Sequence, residues 1–326
     1  MKAIIPAAGI GTRLRPHTHS LPKALLYVAG RPIISHILED VRRIGASSVV
    51  LIVGYKGELI REYVEREYKD LNAEFVVQEE RLGIGHAVNL TRSVADTGEP
   101  ALIILGDTIL RTDLAKVVAS PTNVLGVKEV DDPRRFGVCE VRGKKILKLV
   151  EKPKDPPSNL ALVGLYYLRD SALLFEVLGE QISRNIRNHG EYQITDALQM
   201  MIDRGSEFET FQVGEWFDCG KYEAMLETNR RLLEGKFEAP RAEGSVFVPP
   251  VSVASTARIV NSIVGPHVSI AADTVVENAI VRDSIIDRGA NVRDCLLQGS
   301  IIGPHAVIKG SFQRLNIGDS SEVIHE

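Results

Sequence analysis

Residues 3–16 read Ala-Ile-Ile-Pro-Ala-Ala-Gly-Ile-Gly-Thr-Arg-Leu-Arg-Pro, and Lys23 follows a few positions later. The apolar start of this segment predicts a first β-strand. Gly9 and Gly11 let the chain turn sharply and approach a ligand closely, because glycine has no Cβ. Arg13 adds a planar fork of donors that suits phosphate oxygens, and Lys23 adds a mobile positive charge. A strand, a glycine turn and two cations predict a triphosphate bound at the carboxyl end of a parallel sheet.

The spacing of these glycines matches neither the dinucleotide fingerprint nor the P-loop with its Lys-Ser/Thr ending. The motif is therefore not diagnostic by itself, and a solvated basic turn is the alternative interpretation. The rest of the chain has to decide between the two.

Composition limits the classes of protein that this chain can be. It has 326 residues, 44% of them hydrophobic and 25% charged, with a formal net charge of −4. Single hydrophobic cores stop growing at about 250 residues, so this length predicts one large α/β domain and a smaller one. The slightly acidic balance argues against nucleic acid as a partner, because nucleic-acid binding uses a basic surface. No segment approaches the roughly 20 apolar residues of a membrane span, and no signal-peptide pattern opens the chain.

The three cysteines, Cys139, Cys219 and Cys295, are widely separated. Their spacing fits neither a disulfide framework nor a zinc site. Unpaired cysteines are typical of a reducing compartment, so we expect a cytoplasmic protein without a membrane partner.

Short β-branched runs alternate with amphipathic segments over residues 1–235. Residues 49–53 and 101–105 are continuous apolar runs, which are typical of strands buried on both faces of a parallel sheet. An apolar stripe over residues 33–44 predicts a helix between such strands, and a last helix is expected over residues 222–233. The alternation predicts an α/β domain with a doubly wound, mostly parallel, Rossmann-like sheet.

A six-residue period begins after a short polar linker, residues 236–245. In residues 246–326 apolar side chains recur every six positions, for example at Val264, Ile270 and Val276. This period predicts a short left-handed β-helix of hexapeptide repeats, with about 18 residues per coil and about four coils. The alternative is an ordinary sandwich of strands, in which apolar and polar residues would alternate with a period of two.

Two copies of nearly the same heptapeptide, residues 262–268 and 300–306, support the repeat. Such a short solenoid has an open end and flat apolar faces. We therefore expect partner subunits to cover these faces, which makes a homo-oligomer.

Two aspartates are candidate metal ligands. Asp107 follows a buried apolar run through Gly106, at the end of a central strand, where open α/β sheets bind ligands. Asp218 lies in an aromatic-flanked turn that leads into the last helix. Two carboxylates beside phosphates suit Mg²⁺, which takes one or two carboxylates together with phosphate oxygens and water. For each aspartate alone, a helix cap or a turn is the alternative.

Other segments predict subsites for a sugar phosphate and a base. Gly137 allows close approach of a ligand, and Glu151-Lys152 offers an acceptor for hydroxyls beside a cation for a phosphate. Gln78 carries an amide that can pair with a base edge, and Gly83 begins another glycine turn. The alternatives are a common surface tripeptide and a strand end followed by a helix start.

Taken in order, these segments resemble the sugar-1-phosphate nucleotidyltransferase family over nearly the whole chain. The motifs that carry the resemblance are Gly9–Leu14 with Pro22-Lys23, Gly106-Asp107, Phe136-Gly137-Val138, Glu151-Lys152-Pro153, Glu191–Asp196 and Trp216-Phe217-Asp218. Residues 131–137, residues 151–157 and the hexapeptide tail make the chain most similar to the long form of glucose-1-phosphate thymidylyltransferases.

The resemblance implies an enzyme that joins a hexose 1-phosphate to the nucleotidyl group of dTTP or UTP. The phosphate oxygen would attack the α-phosphate in line, and pyrophosphate would leave. An ionised phosphate needs no general base, so catalysis would come from positioning and charge stabilisation.

The resemblance also implies a role for each site residue. The expected nucleotide contacts are Ala8, Gly9, Gly11, Thr12, Arg13, Gln78 and Gly83. The expected sugar-phosphate contacts are Gly137, Glu151, Lys152 and Gly164. The expected catalytic cations are Arg13, Lys23 and Lys152, and the expected Mg²⁺ ligands are Asp107 and Asp218.

Three positions depart from the pattern of the short thymidylyltransferases. His189 stands where those enzymes carry an arginine, and Pro6 stands where a leucine is usual. His86 replaces their glutamine and also occurs in uridylyltransferases. The choice between thymine and uracil therefore stays open, since the two bases differ by one methyl group, which changes the binding free energy by about 1–3 kcal/mol. A uridylyltransferase acting on glucose 1-phosphate or N-acetylglucosamine 1-phosphate is the alternative.

Two other classes of protein remain as less favoured alternatives. A hexapeptide acyltransferase would use a solenoid histidine as base, and His267 and His305 are available, although their equivalent places suggest a turn role. A non-catalytic scaffold or regulatory relative would be expected to lose the cations or carboxylates, which this chain keeps.

Overall fold

The structure, a computed structural model, describes residues 1–240, 242 and 244–310. Two compact units make up this part of the chain. The first contains residues 1–26 and 31–225, and the second contains residues 27–30 and the described residues from 226 onward. Within the described residues, no helix has the length and apolar character needed to cross a bilayer.

Strands and helices are interspersed over the first 233 residues, as expected, except that no α-helix lies between residues 118 and 171. In chain order, strands β1 to β13 are Lys2–Pro6, Tyr27–Val28, Arg31–Pro32, Ser48–Val53, Ala73–Val77, Ala101–Ile104, Thr108–Arg111, Asn123–Glu129, Gly137–Arg142, Lys145–Glu151, Leu160–Leu168, Phe208–Gln212 and Glu215–Asp218. Helices α1 to α8 are Ile33–Arg43, Gly57–Glu67, Ile84–Leu90, Arg92–Ala95, Leu114–Val118, Ser171–Ser183, Ile194–Asp203 and Tyr222–Leu233. Four 3₁₀ turns in this part of the structure are Thr12–Leu14, His17–His19, Lys23–Leu25 and Pro133–Arg135.

The central sheet of the first unit has the strand order β5-β4-β1-β6-β11-β8-β12-β10-β9. Pairing is parallel from β5 to β6 and between β8 and β12. It is antiparallel on both sides of β11 and of β10. The prediction of a mostly parallel sheet therefore holds for one half only. The reason is that no helix separates β9, β10 and β11, whereas parallel neighbours need a long crossover.

Helices cover both faces of this sheet, which confirms the doubly wound arrangement. Ala3 and Ile5 of β1 belong to one buried cluster, together with apolar residues of α1 and α2. Ile4 belongs to a second cluster, together with apolar residues of α3, α6 and α7. Because side chains alternate along a strand, both faces of β1 are apolar and buried, as its unbroken apolar run predicts.

In the second unit, the strands after α8 are short. Strands β14 to β26 are Phe237–Glu238, Val246–Phe247, Val251–Val253, Arg258–Val260, Ile263–Val264, Val268–Ile270, Val275–Glu277, Ile280–Arg282, Ile285–Ile286, Asn291–Arg293, Leu296–Gln298, Ile301–Ile302 and Val307–Lys309. They form three stacks of parallel strands, β14-β16-β19-β22-β25, β15-β18-β21-β24 and β17-β20-β23-β26.

A β-helix requires three such stacks of parallel strands. The predicted six-residue period is present, but the number of residues per coil differs from the prediction. Val251 pairs with Val268, and Ile280 pairs with Leu296, so one coil takes 17 and later 16 residues rather than about 18. Residues 311–326 of the predicted repeat domain lie outside the described residues.

The shorter coils change which side chains face the solenoid core. Val264, Ile270 and Val276 are fully buried there, as the period predicts. Ile280, which the same period places inside, is partly exposed, and its neighbour Val281 is buried instead. Each coil is shorter than three full hexapeptides, so the inward position advances by five residues in places.

The predicted domain boundary at residue 235 follows the end of α8, whereas the compact units change within this helix, after Met225. Inside the second unit, the buried Asn229 of α8 joins three segments. Its Oδ1 accepts hydrogen bonds from the Ala29 amide at 3.0 Å and from the Ser269 hydroxyl at 2.6 Å. Its Nδ2 donates to the His267 carbonyl at 3.0 Å. One amide thus satisfies three polar groups and joins α8 to two other parts of the chain.

We expect Asn229→Ala to lower the free energy of unfolding by about 2–3 kcal/mol, because it leaves buried polar groups without partners. Equilibrium urea unfolding followed by circular dichroism measures this. Asn72→Ala, at an exposed position, is the control and should change stability by less than about 0.5 kcal/mol. Equal losses in the two variants would show that the buried amide is not needed.

Candidate active site

A cavity of about 330 Å³ lies at the carboxyl end of β1 and β6. These adjacent parallel strands end at the same edge of the sheet, which is where open α/β sheets bind ligands. The residues that follow β1 and those that follow β6 line the cavity, together with Lys23, residues of the loop between β5 and α3, and Glu191.

The structure brings some of the sequence-predicted residues to this cavity and places others around it. The predicted residues that line the cavity are Ala8, Gly9, Lys23, Gln78, Gly83 and Asp107. The predicted residues that lie elsewhere in the first unit are Gly11, Thr12, Arg13, Gly137, Glu151, Lys152, Gly164 and Asp218. Their assignments to substrates stay predictions.

The two candidate metal ligands are brought together by an antiparallel strand pair. Asp218 lies opposite Thr108 where β13 pairs with β7. The Cys219 amide donates to the Asp107 backbone carbonyl at 3.2 Å, which joins the two segments. The Asp107 carboxylate also forms an ion pair with Lys23, with Nζ 2.5 Å from Oδ2.

Arg13 and Asp218 both lie close to Gly220. A Cβ added at Gly220 would lie 2.8 Å from Asp218 Oδ1 and 3.1 Å from an Arg13 guanidinium nitrogen. The glycine at this position therefore leaves room for both side chains. Lys23 thus pairs with Asp107, and Arg13 lies near Asp218, on two segments whose backbones are joined at this end of the sheet.

The donor set fits a hard divalent cation such as Mg²⁺, which takes oxygen ligands. The described residues contain no group of three or more His, Cys, Asp or Glu side chains placed to hold a metal. Two carboxylates could therefore hold an ion only together with phosphate oxygens and water, as Mg²⁺ sites on nucleotides commonly do.

A second cluster surrounds Glu151, at the end of β10. Its buried carboxylate accepts a hydrogen bond from Thr195 Oγ1 at 2.6 Å, and Lys152 Nζ lies 3.3 Å from its other oxygen. Gly137 pairs with Glu151 across β9 and β10. A Cβ there would lie 2.9 Å from Thr195 Oγ1, so only glycine leaves this hydrogen bond undisturbed. The predicted Gly137, Glu151 and Lys152 do come together.

Gly164 is placed differently from these three. It lies in β11, where the register shifts, and its carbonyl accepts a hydrogen bond from the Leu105 amide at 3.0 Å. A Cβ at this position would press on the Leu105 side chain, which lines the cavity. Gly164 thus contacts the wall of the cavity through Leu105.

The loop before α3 packs against the segment before α7. The Gly85 amide donates to the Tyr192 carbonyl at 2.8 Å, and the Tyr192 amide donates to the Leu82 carbonyl at 2.7 Å. Gly83 has a φ of +105°, and a Cβ there would lie 2.5 Å from the Tyr192 oxygen. The close contact between these two loops therefore depends on glycine at position 83.

Sequence reasoning missed three residues of these clusters. Arg81 and Glu191 line the cavity, and the Thr195 hydroxyl holds Glu151. Thr195 and Glu191 belong to the motif of residues 191–196, where they could have been singled out. Arg81 is an exposed cation between Gln78 and Gly83, and its sequence context alone carries no signal for a site.

Comparison with known proteins identifies the family. The model of the nucleotidyl transferase family matches residues 2–235, which include the whole cavity. The chain belongs to the nucleotidyl transferase family. This confirms the resemblance and the enzyme class that the motifs predict. Enzymes of this family generally use a divalent metal, which the two carboxylates fit.

Individual relatives of this nucleotidyltransferase share either its full length or its first part. A glucose-1-phosphate thymidylyltransferase of Streptomyces griseus is 34% identical, over 98% of each chain. A UTP–glucose-1-phosphate uridylyltransferase of Haloferax volcanii, AglF, is also 34% identical, over 73% of this chain and 99% of its own. A UDP-glucose pyrophosphorylase in complex with UDP-glucose has a similar structure, with a TM-score of 0.63 and 26% identity over 72% of this chain and 99% of its own.

We expect Gly83→Ala to lower the free energy of unfolding by about 3 kcal/mol, because the new Cβ would strain the backbone and press on Tyr192. Gly98→Ala is the matched control. Gly98 also has a positive φ, +74°, but open space surrounds it. Gly98→Ala should therefore lower the free energy of unfolding by only about 1 kcal/mol. Urea unfolding of both variants gives the comparison, and equal losses would contradict tight packing of the two loops.

Proposed function

We propose that this nucleotidyltransferase converts glucose 1-phosphate and dTTP, or UTP, into the nucleotide sugar and pyrophosphate. The observation that carries the proposal is the meeting of Lys23, Asp107 and Gln78 at one cavity beside the glycine turn after β1. The names of the full-length thymidylyltransferase relative and of the uridylyltransferase relative support the substrates.

In this proposal the nucleotide occupies the cavity. The backbone of Ala8, Gly9, Gly11 and Thr12 would hold the triphosphate, since amide groups in a glycine turn can approach phosphate oxygens closely. Arg13 and Lys23 would neutralise its charge. Gln78 and Gly83 would meet the base.

The sugar phosphate would bind at the Glu151 cluster. Glu151, held by Thr195, would accept hydrogen bonds from hexose hydroxyls, and Gly137 would let the sugar approach the backbone. Lys152 would bind the phosphate of the sugar. Gly164 would act through Leu105, because it supports that side chain.

Asp107 and Asp218 would hold Mg²⁺. When bound, the ion would supply positive charge against the charge that develops on the triphosphate. Lys23 already neutralises part of the Asp107 charge, so the site is arranged for electrostatic stabilisation before substrate arrives.

Catalysis in this proposal rests on positioning. The phosphate oxygen of the sugar phosphate is already ionised near neutral pH, so no side chain has to remove a proton. Lys152 and Lys23 would bring two anionic substrates together and offset their repulsion. The clusters contain cations and carboxylates rather than a histidine–nucleophile pair, which agrees with this chemistry.

The second unit is proposed to be a left-handed β-helix that assembles subunits into a homo-oligomer. Val246, Ile263, Ile280 and Leu296 follow one another in register along one stack of strands. Leu296 and Val246 are 67% and 57% exposed. An exposed apolar column of this kind favours a second copy of the chain as its cover.

The experiment that tests the function is release of pyrophosphate from glucose 1-phosphate with each of dTTP, UTP, CTP, ATP and GTP, with and without Mg²⁺. We expect metal-dependent release with dTTP or UTP. N-acetylglucosamine 1-phosphate in the same assay tests the alternative sugar. If no pair of substrates released pyrophosphate, the result would contradict the proposal and favour a non-catalytic relative.

We expect Asp107→Asn to lower turnover by about 100-fold or more, because the amide keeps the shape and loses the charge. The free energy of unfolding should fall by only about 1–3 kcal/mol, because the buried Lys23 loses its charged partner but can still donate to the amide oxygen. Steady-state rates and thermal unfolding measure the two effects. Asp113→Asn, an exposed aspartate before α5, is the control and should keep wild-type rates. Near wild-type turnover in Asp107→Asn would contradict the metal assignment.

A further inference from the structure

We propose that His86 is a positioning residue that fixes the orientation of the Gln78 amide and so makes the base subsite select uracil or thymine against cytosine. The inference rests on the proposed function, since it takes the cavity beside Gln78 as the base subsite. It adds a residue that acts through Gln78 rather than on the substrate.

The backbone decides which end of the Gln78 amide faces which neighbour. Gln78 Nε2 lies 3.1 Å from the Gly83 carbonyl oxygen. A carbonyl can only accept a hydrogen bond, so the amide nitrogen and not the amide oxygen must face Gly83.

His86 contacts the same nitrogen from α3. Its Nδ1 lies 3.3 Å from Gln78 Nε2. Because Nε2 is a donor only, Nδ1 must accept, which requires the neutral imidazole with its hydrogen on the other ring nitrogen. Gly83 and His86 together use both hydrogens of the amide.

What remains for a ligand is the amide oxygen. Gln78 lines the cavity, and no described residue donates a hydrogen bond to its Oε1. Uracil and thymine carry a hydrogen on N3, which Oε1 can accept. Cytosine has an unprotonated N3, so two acceptors would face each other and neither would be satisfied.

If the Gln78 amide were rotated by 180°, its nitrogen could donate to cytosine N3, but two neighbours disfavour this orientation. It would place Oε1 against the Gly83 carbonyl and against an accepting Nδ1. Replacing His86 by an apolar residue would remove one of these two penalties and leave one amide hydrogen without a partner.

The surroundings of His86 favour its neutral form. Burial lowers the pKa of the His86 imidazole, Arg187 lowers this pKa further, and Glu80 opposes both effects. The Tyr192 ring lies 6.4 Å from the imidazole, and Arg187 stacks on the Tyr192 ring at 4.6 Å. His86 therefore protonates only as the pH falls below its ordinary value, and Nδ1 then becomes a donor that faces the amide hydrogens.

Three proteins test the proposal: wild type, H86L and H86N. Leucine removes the acceptor, whereas asparagine keeps an acceptor close to the position of Nδ1 and does not titrate. We expect H86L to lower the ratio of kcat/KM for the preferred triphosphate, UTP or dTTP, to that for CTP by about 10-fold or more. The change should lie in the KM of the nucleotide, with the KM of the sugar phosphate unchanged.

The H86N side chain can accept from the Gln78 amide or turn and donate to it, so its ratio should lie between those of H86L and wild type, and its pH profile should change. In wild type we expect the preference over CTP to decline as the pH falls through the lowered pKa of His86, and in H86N to stay flat. A wild-type ratio in H86L, or the same pH dependence in H86N, would overturn the proposal.

A second measurement does not depend on activity. Two-bond ¹H–¹⁵N correlation spectra of histidine-labelled wild type, with H86N to assign the signal, report which ring nitrogen carries the hydrogen. We expect an unprotonated Nδ1 at neutral pH, and a protonated one would overturn the proposal, even if H86L does not fold. Absence of pyrophosphate release in wild type would contradict the proposed function alone, whereas a working enzyme with unchanged selectivity in H86L would contradict this inference alone.

Discussion

Burial of β1 between β4 and β6 is the constraint on which the site depends. All three strands are parallel, so their carboxyl ends meet at one edge of the sheet. The glycine turn after β1 and the Gly106-Asp107 pair after β6 are therefore neighbours, although about a hundred residues separate them in the chain. Apolar burial on both faces holds these strands in place, which lets the loops at their ends carry polar groups.

Charge is balanced inside the site before any ligand binds. Lys23 pairs with Asp107, and Lys152 lies beside the buried Glu151. Lys23 and Glu151 are buried, and a buried charge without a partner is costly, so Asp107 and Lys152 make these two charges tolerable. The same pairing keeps cations close to where phosphates are proposed to bind, which is the preorganisation that phosphoryl chemistry uses.

Local pattern was sufficient for the strands and helices with strong periodicity. The strand over residues 2–6, the helix over 33–43 and the last helix over 222–233 were all predictable from apolar runs, stripes and their flanking residues. The antiparallel pairing around β11 was not, because it depends on which distant strands meet. The exposure of Ile280 was not predictable either, since a coil of 17 or 16 residues shifts a period that six-residue spacing assumes constant.

The sequence by itself determined the family, the enzyme class, the two kinds of architecture and the residue types of the site, because motifs and apolar periods are local properties. Only the tertiary structure decided which atoms meet: the Thr195 hydroxyl on Glu151, the Cys219 amide on the Asp107 carbonyl, and His86 on the nitrogen of the Gln78 amide. It also decided that residues 27–30 belong with the second unit. The physical reason is that some of these contacts join segments far apart in the chain, and others depend on the direction of a single hydrogen bond. Neither kind of contact produces a local pattern in the sequence.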